Sequence, residues 1–371
     1  MKLLVIPTTD WTGHPVPNRL NFIFDNIAEN NDVDVCHFKL FDRKKRNTIC
    51  NLISMDKKVE KKISSYYIKN VFYHGSKISS LIEDYDAVIS ANLIPGFFAN
   101  FSETPVIFDY LDYLPGSASM YYSEPFDSLA RKTAEWLSFY NIKKSCGIIT
   151  PTLSFKNYLK NFTDRPIKVI PNGVDMDIIS YSDPSFIETN YNLSHPVLGY
   201  VGSLEKWVNL EWIIDRFPEI KERYSNAKLL IIGPGLHTDY SEYLKEKVKK
   251  MGLTGSIIFL GRISYNNLAT YISTMDIGLN PRKDFLMNKM TMGSKILTYL
   301  ACGVPVLSSN MPEAEEKFGP DQGVFQYSSE EEFFGEMHKA LCKEIDIDVV
   351  NEYDWKIISK RYERAIKKFI S

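Results

Sequence analysis

Short apolar runs alternate with longer segments of helical periodicity along all 371 residues of the chain. This alternation is typical of βαβ units and predicts parallel sheets covered by helices. Strands are predicted at 3–7, 33–40, 87–90, 106–109, 147–151, 168–171, 197–201, 228–232, 257–260, 277–280, 305–308 and 324–327. Helices are predicted at 18–29, 57–84, 128–144 and 154–162, with a basic amphipathic helix at 354–370.

The apolar periodicity is interrupted once, over residues 175–196, where serine, asparagine and proline gather. We place the hinge of a two-domain protein there, because a chain of this length exceeds what one hydrophobic core usually supports. The predicted domains are 1–178 and 179–371. The final helix, 354–371, could pack on its own domain or cross back to the first.

Composition removes several classes of function. A formal net charge of −2 argues against a nucleic-acid binder, and 44% hydrophobic with 24% charged residues is ordinary for a soluble globular protein. Five cysteines without a C-x-x-C pair fit a reducing cytosol. The uncharged stretches are too interrupted for a membrane span. No metal-ligand cluster and no G-x-S-x-G element is present, so we expect neither a metal nor a Ser-His-Asp site.

The segment GSKILTYLACGVPV, from Gly293 to Val306, combines a glycine, a lysine in the first helical turn and a glycine stop. A helix that starts in this way presents unpaired backbone N–H groups and a partial positive charge, which bind anions. The segment therefore predicts a phosphate site around Gly293, Ser294 and Lys295. The alternative is a structural helix with a solvated lysine.

Other predicted strands of the second half also end in glycine, among them Gly202 and Gly233. Glycine at such a turn lets the backbone approach a ligand closely. Basic residues near these turns would supply charge for a diphosphate, and Arg282 and Lys295 are the strongest candidates because Arg grips phosphate bidentately and Lys adds a compact charge. The remaining basic residues, which could equally be solvated, are Lys206, Arg262 and Lys283.

Two carboxylates, Asp109 and Asp112, end a predicted strand of the first half within the run FDYLDYLPG. They could serve as a base or as an anchor for a hydroxyl group, although Asp112 could equally cap a turn. Gly13 and His14 follow the first strand and could contact an acceptor, or His14 could bond a loop carbonyl.

A local basic excess lies at 42–68, beside apolar and aromatic residues. Such a segment could contact an anionic membrane surface peripherally, and a solvated helix face is the alternative.

Taken in order, VIPNGVD, GYVGSL, LLIIGPG, FLGRIS, STMDIGLNP and LTYLACGVPVLSS resemble the motifs of GT-B fold glycosyltransferases, most closely glycosyltransferase family 4. The resemblance implies an α/β fold of two doubly wound, Rossmann-like domains facing a cleft. It also implies retaining transfer of a sugar from a nucleotide-sugar donor, held by the second domain, to a glycan or lipid-linked acceptor held by the first. No cofactor or metal is implied.

On this basis the donor-binding residues are expected to be Gly202, Ser203, Gly233, Arg262, Arg282, Gly293, Ser294, Lys295 and Thr298. The expected catalytic residues are Asp112, Asp109 and Lys206, and the acceptor-binding residues are Gly13 and His14.

The chain departs from the family pattern at two paired positions. Met290 and Thr298 stand where relatives carry glutamates, and Ser203 and Val208 stand where relatives carry an Arg-and-Lys pair. A catalytically silent GT-B protein that binds a glycan or a partner glycosyltransferase is therefore the alternative function. A sugar-nucleotide epimerase would need acidic and histidine pairs that we do not find.

Overall fold

The computed structural model describes residues 1–14, 17–41, 45–56, 63–119, 126–235 and 239–371. The chain divides into two compact units. Unit 1 comprises Met1–Asn172 and Trp355–Ser371, and unit 2 comprises Gly173–Asp354. The chain therefore passes between the units twice, at 172–173 and at 354–355.

The described part of unit 1 contains a parallel sheet in the order β3-β2-β1-β4-β5-β6-β7. Its strands are β1 (Lys2–Ile6), β2 (Asp32–His37), β3 (Asn51–Ser54), β4 (Ala87–Ser90), β5 (Val106–Asp109), β6 (Gly147–Thr150) and β7 (Ile167–Val169). The central strands are apolar on both faces, as expected for a parallel sheet that helices cover on both sides.

The helices of unit 1 are α1 (Arg19–Ile27), α2 (Ile63–Lys69), α3 (Val71–Leu81), α4 (Leu93–Ala99), α5 (Leu114–Ser119), α6 (Phe126–Lys144), α7 (Leu153–Leu159) and the last helix of the chain, α16 (Trp355–Ile370). Asn18 caps helix α1, because its side chain accepts hydrogen bonds from the N–H groups of Leu20 and Asn21. Helix α16 packs on α1, with Tyr362 edge-on to Phe24 and Trp355 stacked on Phe22.

The described part of unit 2 contains a second parallel sheet in the order β10-β9-β8-β11-β12-β13. Its strands are β8 (Val197–Val201), β9 (Lys228–Ile232), β10 (Ile257–Gly261), β11 (Ile277–Asn280), β12 (Val306–Ser309) and β13 (Val324–Tyr327). In chain order this is the 3-2-1-4-5-6 arrangement of the doubly wound fold, in which the strand order reverses between β8 and β11.

The helices of unit 2 are α8 (Ser185–Tyr191), α9 (Leu210–Arg223), α10 (Tyr240–Lys250), α11 (Leu268–Ile272), α12 (Leu286–Lys289), α13 (Ser294–Ala301), α14 (Pro312–Glu315) and α15 (Glu330–Leu341). Short 3-10 helices add Ile82–Asp84 in unit 1 and Tyr265–Asn267, Pro320–Gln322 and Ile347–Tyr353 in unit 2. One hydrophobic core lies on each face of the unit 2 sheet.

The predicted strands are present within a few residues, but β3 was not predicted because it is a short edge strand with exposed side chains. The predicted hinge, 175–196, lies inside unit 2 and contains α8, whereas the units divide at 172–173, before the predicted boundary at 178. The final helix belongs to unit 1. Much of the basic segment 42–68, namely residues 42–44 and 57–62, lies outside the described residues.

Candidate functional site

The strand order reverses between β8 and β11, and a tyrosine holds these two strands apart. They pair only at Ile277–Leu198 and Gly278–Gly199. Beyond that point the ring of Tyr299, from α13, lies against Gly278, where an added Cβ would be 2.3 Å from the ring. The hydroxyl of Tyr299 accepts the Val201 N–H at 2.8 Å. Ligands of doubly wound folds bind in the crevice that opens at this place.

Tyr299→Phe should keep the ring in place but leave the Val201 N–H without its acceptor. We expect the free energy of unfolding to fall by about 1–3 kcal/mol, the cost of an unsatisfied buried donor. Urea denaturation measures this, with Tyr181→Phe as the matched control because that side chain is 66% exposed. Equal stability of the Tyr299 variant and the wild type would contradict the assignment.

Helix α13 begins at this crevice. Gly293 precedes it with φ of 77°, a conformation that favours glycine, and no side chain caps the first N–H groups of the helix. The amide of Asn280, the last residue of β11, lies beneath Gly293 and donates to the Ser308 hydroxyl at 3.0 Å. The helix start is therefore anchored to the sheet while its N–H groups remain available to an anion.

Lys295 lies on the same rim and packs against Gly202 at the end of β8. A Cβ on Gly202 would lie 2.3 Å from Lys295 Cε, and the backbone there has φ of 144°, so a side chain would be both crowded and strained. The ammonium nitrogen lies 5.4 Å from the centre of the Tyr200 ring. Burial lowers the pKa of Lys295 well below its ordinary value, and the nearby charge of Arg282 lowers it further.

Arg282 follows β11 and is held by its neighbours. Its backbone N–H donates to the Ser309 hydroxyl at 2.9 Å, and its Nε donates to the Asn280 side-chain oxygen at 3.4 Å. Within the described residues, no carboxylate forms an ion pair with Arg282 or Lys295. Two neighbouring positive charges without an acidic partner are an arrangement that an anion would stabilise.

The other predicted donor residues lie along the same edge of the sheet. The Gly202 N–H donates to Ile232 and the Gly233 N–H to Gly261, which link the ends of β8, β9 and β10. The carbonyl of Ser203 accepts the Tyr200 hydroxyl at 2.8 Å. Lys206 and Arg262 are exposed and follow β8 and β10.

Thr298, the residue in place of a family glutamate, already uses its hydroxyl proton. It donates to the Ser294 carbonyl at 3.2 Å, while Met290, at the other glutamate position, is buried. A hydroxyl in this state retains its lone pairs and can still accept a hydrogen bond.

A cavity of about 660 Å³ adjoins Arg282 within unit 2. Its lining includes Lys283, Asn288 and Ser309, and the indole of Trp212 packs against the Arg216 guanidinium and stacks with the Tyr327 ring. Arg282 is the residue that this cavity shares with the predicted donor set.

In unit 1, the buried carboxylate of Asp10 organises the loop that carries Gly13 and His14. It accepts the Gly13 N–H at 2.7 Å and, from the loop after β2, the N–H groups of Leu40 and Phe41 at 3.0 and 3.1 Å. His14 packs edge-on to Phe41. Asp10 was not among the predicted residues, although aspartate in a turn often bonds the backbone two residues on, as Asp10 does with the Thr12 N–H at 3.2 Å.

Asp10 predicts an acid-sensitive loop. Burial alone would raise the pKa of Asp10, but hydrogen bonds from His37 and from the three N–H groups lower it to about 2, from 3.8. The folded state thus holds the proton less tightly, so this contribution is complete above pH 3.8 and disappears as the pH falls through 2. We expect a loss of about 2 kcal/mol, measured by urea denaturation between pH 5 and pH 2.

Asp10→Asn is the control for this expectation. It should be less stable than the wild type at neutral pH, and the difference should narrow as the pH falls. Parallel profiles for the two proteins would contradict the role of Asp10.

Asp109 requires a correction. Its carboxylate is fully buried and accepts hydrogen bonds from the Tyr362 hydroxyl at 2.8 Å and from Arg19 Nε at 3.4 Å. Arg19 also donates to the Pro171 carbonyl and the Asn172 side chain, where the chain leaves unit 1. The predicted catalytic role does not fit, because the carboxylate lies inside unit 1 and holds α1 and α16 to β5.

Asp112 is partly buried at the carboxyl end of β5. Its side chain accepts the Tyr113 N–H at 2.7 Å, and its carbonyl accepts the Leu114 N–H at 2.9 Å. These bonds form the turn that leads into α5, which was the alternative to a catalytic role. Asp112 and the loop of Gly13 and His14 follow β5 and β1, so both lie at the carboxyl edge of the unit 1 sheet, with β4 between the two strands.

The described residues contain no group of three or more His, Cys, Asp or Glu side chains placed to hold a metal ion. Of the helices in the described part of the chain, none is both long enough and apolar enough to span a membrane.

Two Rossmann-like units, each built on a parallel sheet, define the GT-B class of fold. Residues 195–343 match the model of a family described as glycosyl transferases group 1. The structure of Anabaena HepE in complex with UDP superposes with a TM-score of 0.72 at 15% identity, covering 99% of this chain and 100% of that chain.

Two curated relatives are similar in sequence. A GDP-mannose-dependent monoacylated alpha-(1-6)-phosphatidylinositol monomannoside mannosyltransferase of Corynebacterium glutamicum is 23% identical over 266 residues, 62% of this chain and 67% of the relative. A putative teichuronic acid biosynthesis glycosyltransferase of Bacillus subtilis, TuaH, is 20% identical over 207 residues. That match covers 53% of this chain and 49% of the relative, so this chain matches about half the length of TuaH. The comparisons support a glycosyltransferase of the group 1 type.

Proposed function

We propose that this protein transfers a sugar from a nucleotide-sugar donor to a glycan or lipid-linked acceptor at the cytoplasmic membrane face, in the synthesis of a cell-surface glycan. The observation that carries the proposal is the pair Lys295 and Arg282, which lies beside the uncapped start of α13 and forms no ion pair with any carboxylate in the described part of the chain. A nucleoside diphosphate supplies the negative charge that this site lacks.

The same groups explain how transfer would be assisted. Negative charge accumulates on the diphosphate as the bond to the sugar breaks, and fixed positive charges and N–H dipoles stabilise it. Lys295, Arg282 and the first N–H groups of α13 can do this without a metal or a further cofactor. Retention of the anomeric configuration is part of the proposal and is supported by the motif resemblance.

The relatives narrow the range of substrates to test. One relative is named as dependent on GDP-mannose with a phosphatidylinositol mannoside acceptor, another is assigned to teichuronic acid synthesis, and HepE was crystallised with UDP. We therefore propose a UDP- or GDP-linked hexose as donor and a membrane-linked glycan as acceptor. Thr298 would accept a hydrogen bond from the donor ribose.

Transfer of radiolabel from a panel of UDP- and GDP-sugars to membrane extracts tests the proposal, and NMR of the product determines its anomeric configuration. Asp112→Asn should lower turnover more than donor affinity. A folded protein that binds no nucleoside diphosphate would contradict the donor site, and an inverted product would contradict retention.

A second function is favoured by the apolar Met290 and the internally bonded Thr298, which replace two carboxylates. It is a catalytically silent GT-B protein that binds a glycan or a partner glycosyltransferase. Calorimetry separates the two, because diphosphate binding without turnover on any acceptor would favour the silent protein.

A further inference from the structure

Helices α4 and α6 of unit 1, together with the turn after α4, present apolar side chains to solvent, which we call the aromatic patch: Phe97, Phe101, Leu129, Trp136 and Tyr140. Phe101 is 64% exposed, Leu129 61% and Trp136 57%. The ring of Phe97 lies 5.0 Å from Phe101, 5.5 Å from Trp136 and 4.6 Å from Tyr140 between centres. Contiguous exposed apolar patches of this kind mark interaction surfaces.

The patch stands on a fixed base. Asn141 is fully buried between the two helices, where its side chain donates to the Leu93 carbonyl at 3.0 Å and accepts from Asn100 at 2.9 Å. The opposite side of α6 is buried against the sheet. The rings are therefore held in exposed positions by a rigid pair of helices. Exposing them does not contribute to the stability of the folded chain.

Charge indicates what covers this surface. Helix α6 carries four exposed basic residues against two acidic ones, although the whole chain has a net charge of −2. The basic residues lie before and after Trp136 along the helix: Arg131, Lys132, Lys143 and Lys144. Protruding Trp, Tyr and Phe side chains flanked by Lys and Arg suit the interface of a bilayer with anionic headgroups.

Helix α6 follows Asp112 and α5 at the carboxyl edge of the unit 1 sheet and runs back along the sheet toward β6. Leu129 therefore lies near the carboxyl edge, whereas Phe101, Tyr140 and the two lysines at the end of α6 lie toward the opposite edge. The idea that membrane binding brings the protein to a lipid-linked acceptor rests on the proposed function. Membrane binding itself does not depend on that function.

We propose that the aromatic patch is a docking surface for an anionic membrane, on which Trp136 and Phe101 enter the interfacial region and the lysines of α6 contact lipid headgroups. None of its residues belongs to the basic segment 42–68.

Sedimentation of the full chain with vesicles tests the proposal. We expect binding to phosphatidylcholine vesicles containing 30% phosphatidylglycerol, and weaker binding to phosphatidylcholine alone. Phe101→Ser with Trp136→Ser should weaken binding about tenfold or more, and Lys143→Gln with Lys144→Gln should weaken it chiefly on anionic vesicles. Phe186→Ser, which removes a ring that is 70% exposed in unit 2, is the matched control.

Each outcome has a definite meaning. Unchanged vesicle binding by the Phe101 and Trp136 double variant, with circular dichroism showing a folded chain, would overturn the proposal. So would a dimer in sedimentation velocity that dissociates in this variant, because the patch would then join two copies. Vesicle binding is measured without donor, so a failure of sugar transfer alone would count against the proposed function and leave the docking surface supported.

Discussion

Lys295→Met should weaken nucleoside diphosphate binding by roughly 30- to 150-fold and make the ligand-free protein more stable. The loss of affinity corresponds to about 2–3 kcal/mol, the contribution of a charge-assisted hydrogen bond to phosphate. Isothermal titration with UDP and GDP measures the affinity. The methionine keeps the apolar stem that packs on Gly202, so the fold should be preserved.

The gain in stability follows from the environment of Lys295. In the folded protein, burial and the charge of Arg282 both disfavour the ammonium form and lower its pKa. Removing the charge should therefore raise the free energy of unfolding by about 0.5–2 kcal/mol, the usual range for a single stabilising substitution.

The pH dependence of the free energy of unfolding tests the same assignment independently. Because the folded pKa of Lys295 is below the unfolded value of 10.5, the unfolded chain binds the proton more tightly, and wild-type stability rises with pH between the two values. The advantage of the methionine variant should be greatest at low pH and disappear above 10.5. An anion that binds beside Lys295 should raise its pKa again, because it favours the ammonium form.

Lys250→Met is the matched control, because it removes the same charge from an exposed position on α10. It should change neither affinity nor stability appreciably. Equal diphosphate affinity of the Lys295 variant and the wild type would remove Lys295 from the donor site. A less stable ligand-free variant would show that the ammonium group has a partner that stabilises the fold.

Asp109→Ala should lower the free energy of unfolding by about 3–5 kcal/mol, because it leaves the buried guanidinium of Arg19 without its counter-charge. Burial raises the pKa of Asp109, and the charge of Arg19 and the Tyr362 hydrogen bond act in the opposite direction. The carboxylate is thus kept in place by its partners. Guanidinium denaturation of the full chain measures the loss.

A double-mutant cycle separates the pair from its surroundings. Arg19→Met with Asp109→Leu removes both charges together, and it should cost less than the sum of the two single changes because no buried charge then lacks a partner. Additive losses would show that the two side chains act independently. An Asp109→Ala variant that loses turnover but keeps wild-type stability would restore the catalytic role that the burial of Asp109 argues against.

Much of the fold was predictable because strands buried in a parallel sheet consist of short apolar runs, which are visible in the local sequence. The strands at Ala87–Ser90, Val106–Asp109 and Val197–Val201 were predicted with the bounds that the structure has. Each is a continuous apolar run with turn residues at its ends. The edge strand Asn51–Ser54 has no such apolar run, because its side chains are mostly exposed.

The start of α13 was predictable for a similar reason, since Gly293 marks a backbone conformation that other residues rarely adopt. The residues that surround Gly293 in the folded protein could not be predicted. Nothing next to Asn280 or Tyr299 in the sequence indicates that one lies beneath Gly293 and the other holds β8 and β11 apart.

The sequence by itself determined the order of strands and helices and the glycine-marked helix start, because these depend on residues close together in the chain. The tertiary structure decided which charges have partners. Asp109 and Asp112 read alike in sequence, yet Asp109 bonds a tyrosine 253 residues away and Asp112 forms a local turn. Lys295 and Lys206 both follow glycine-marked turns, and the structure separates them further, because Lys295 packs against Gly202 near Arg282 whereas Lys206 is exposed. The energy of a charge depends on the groups around it in space, which distant segments supply on folding.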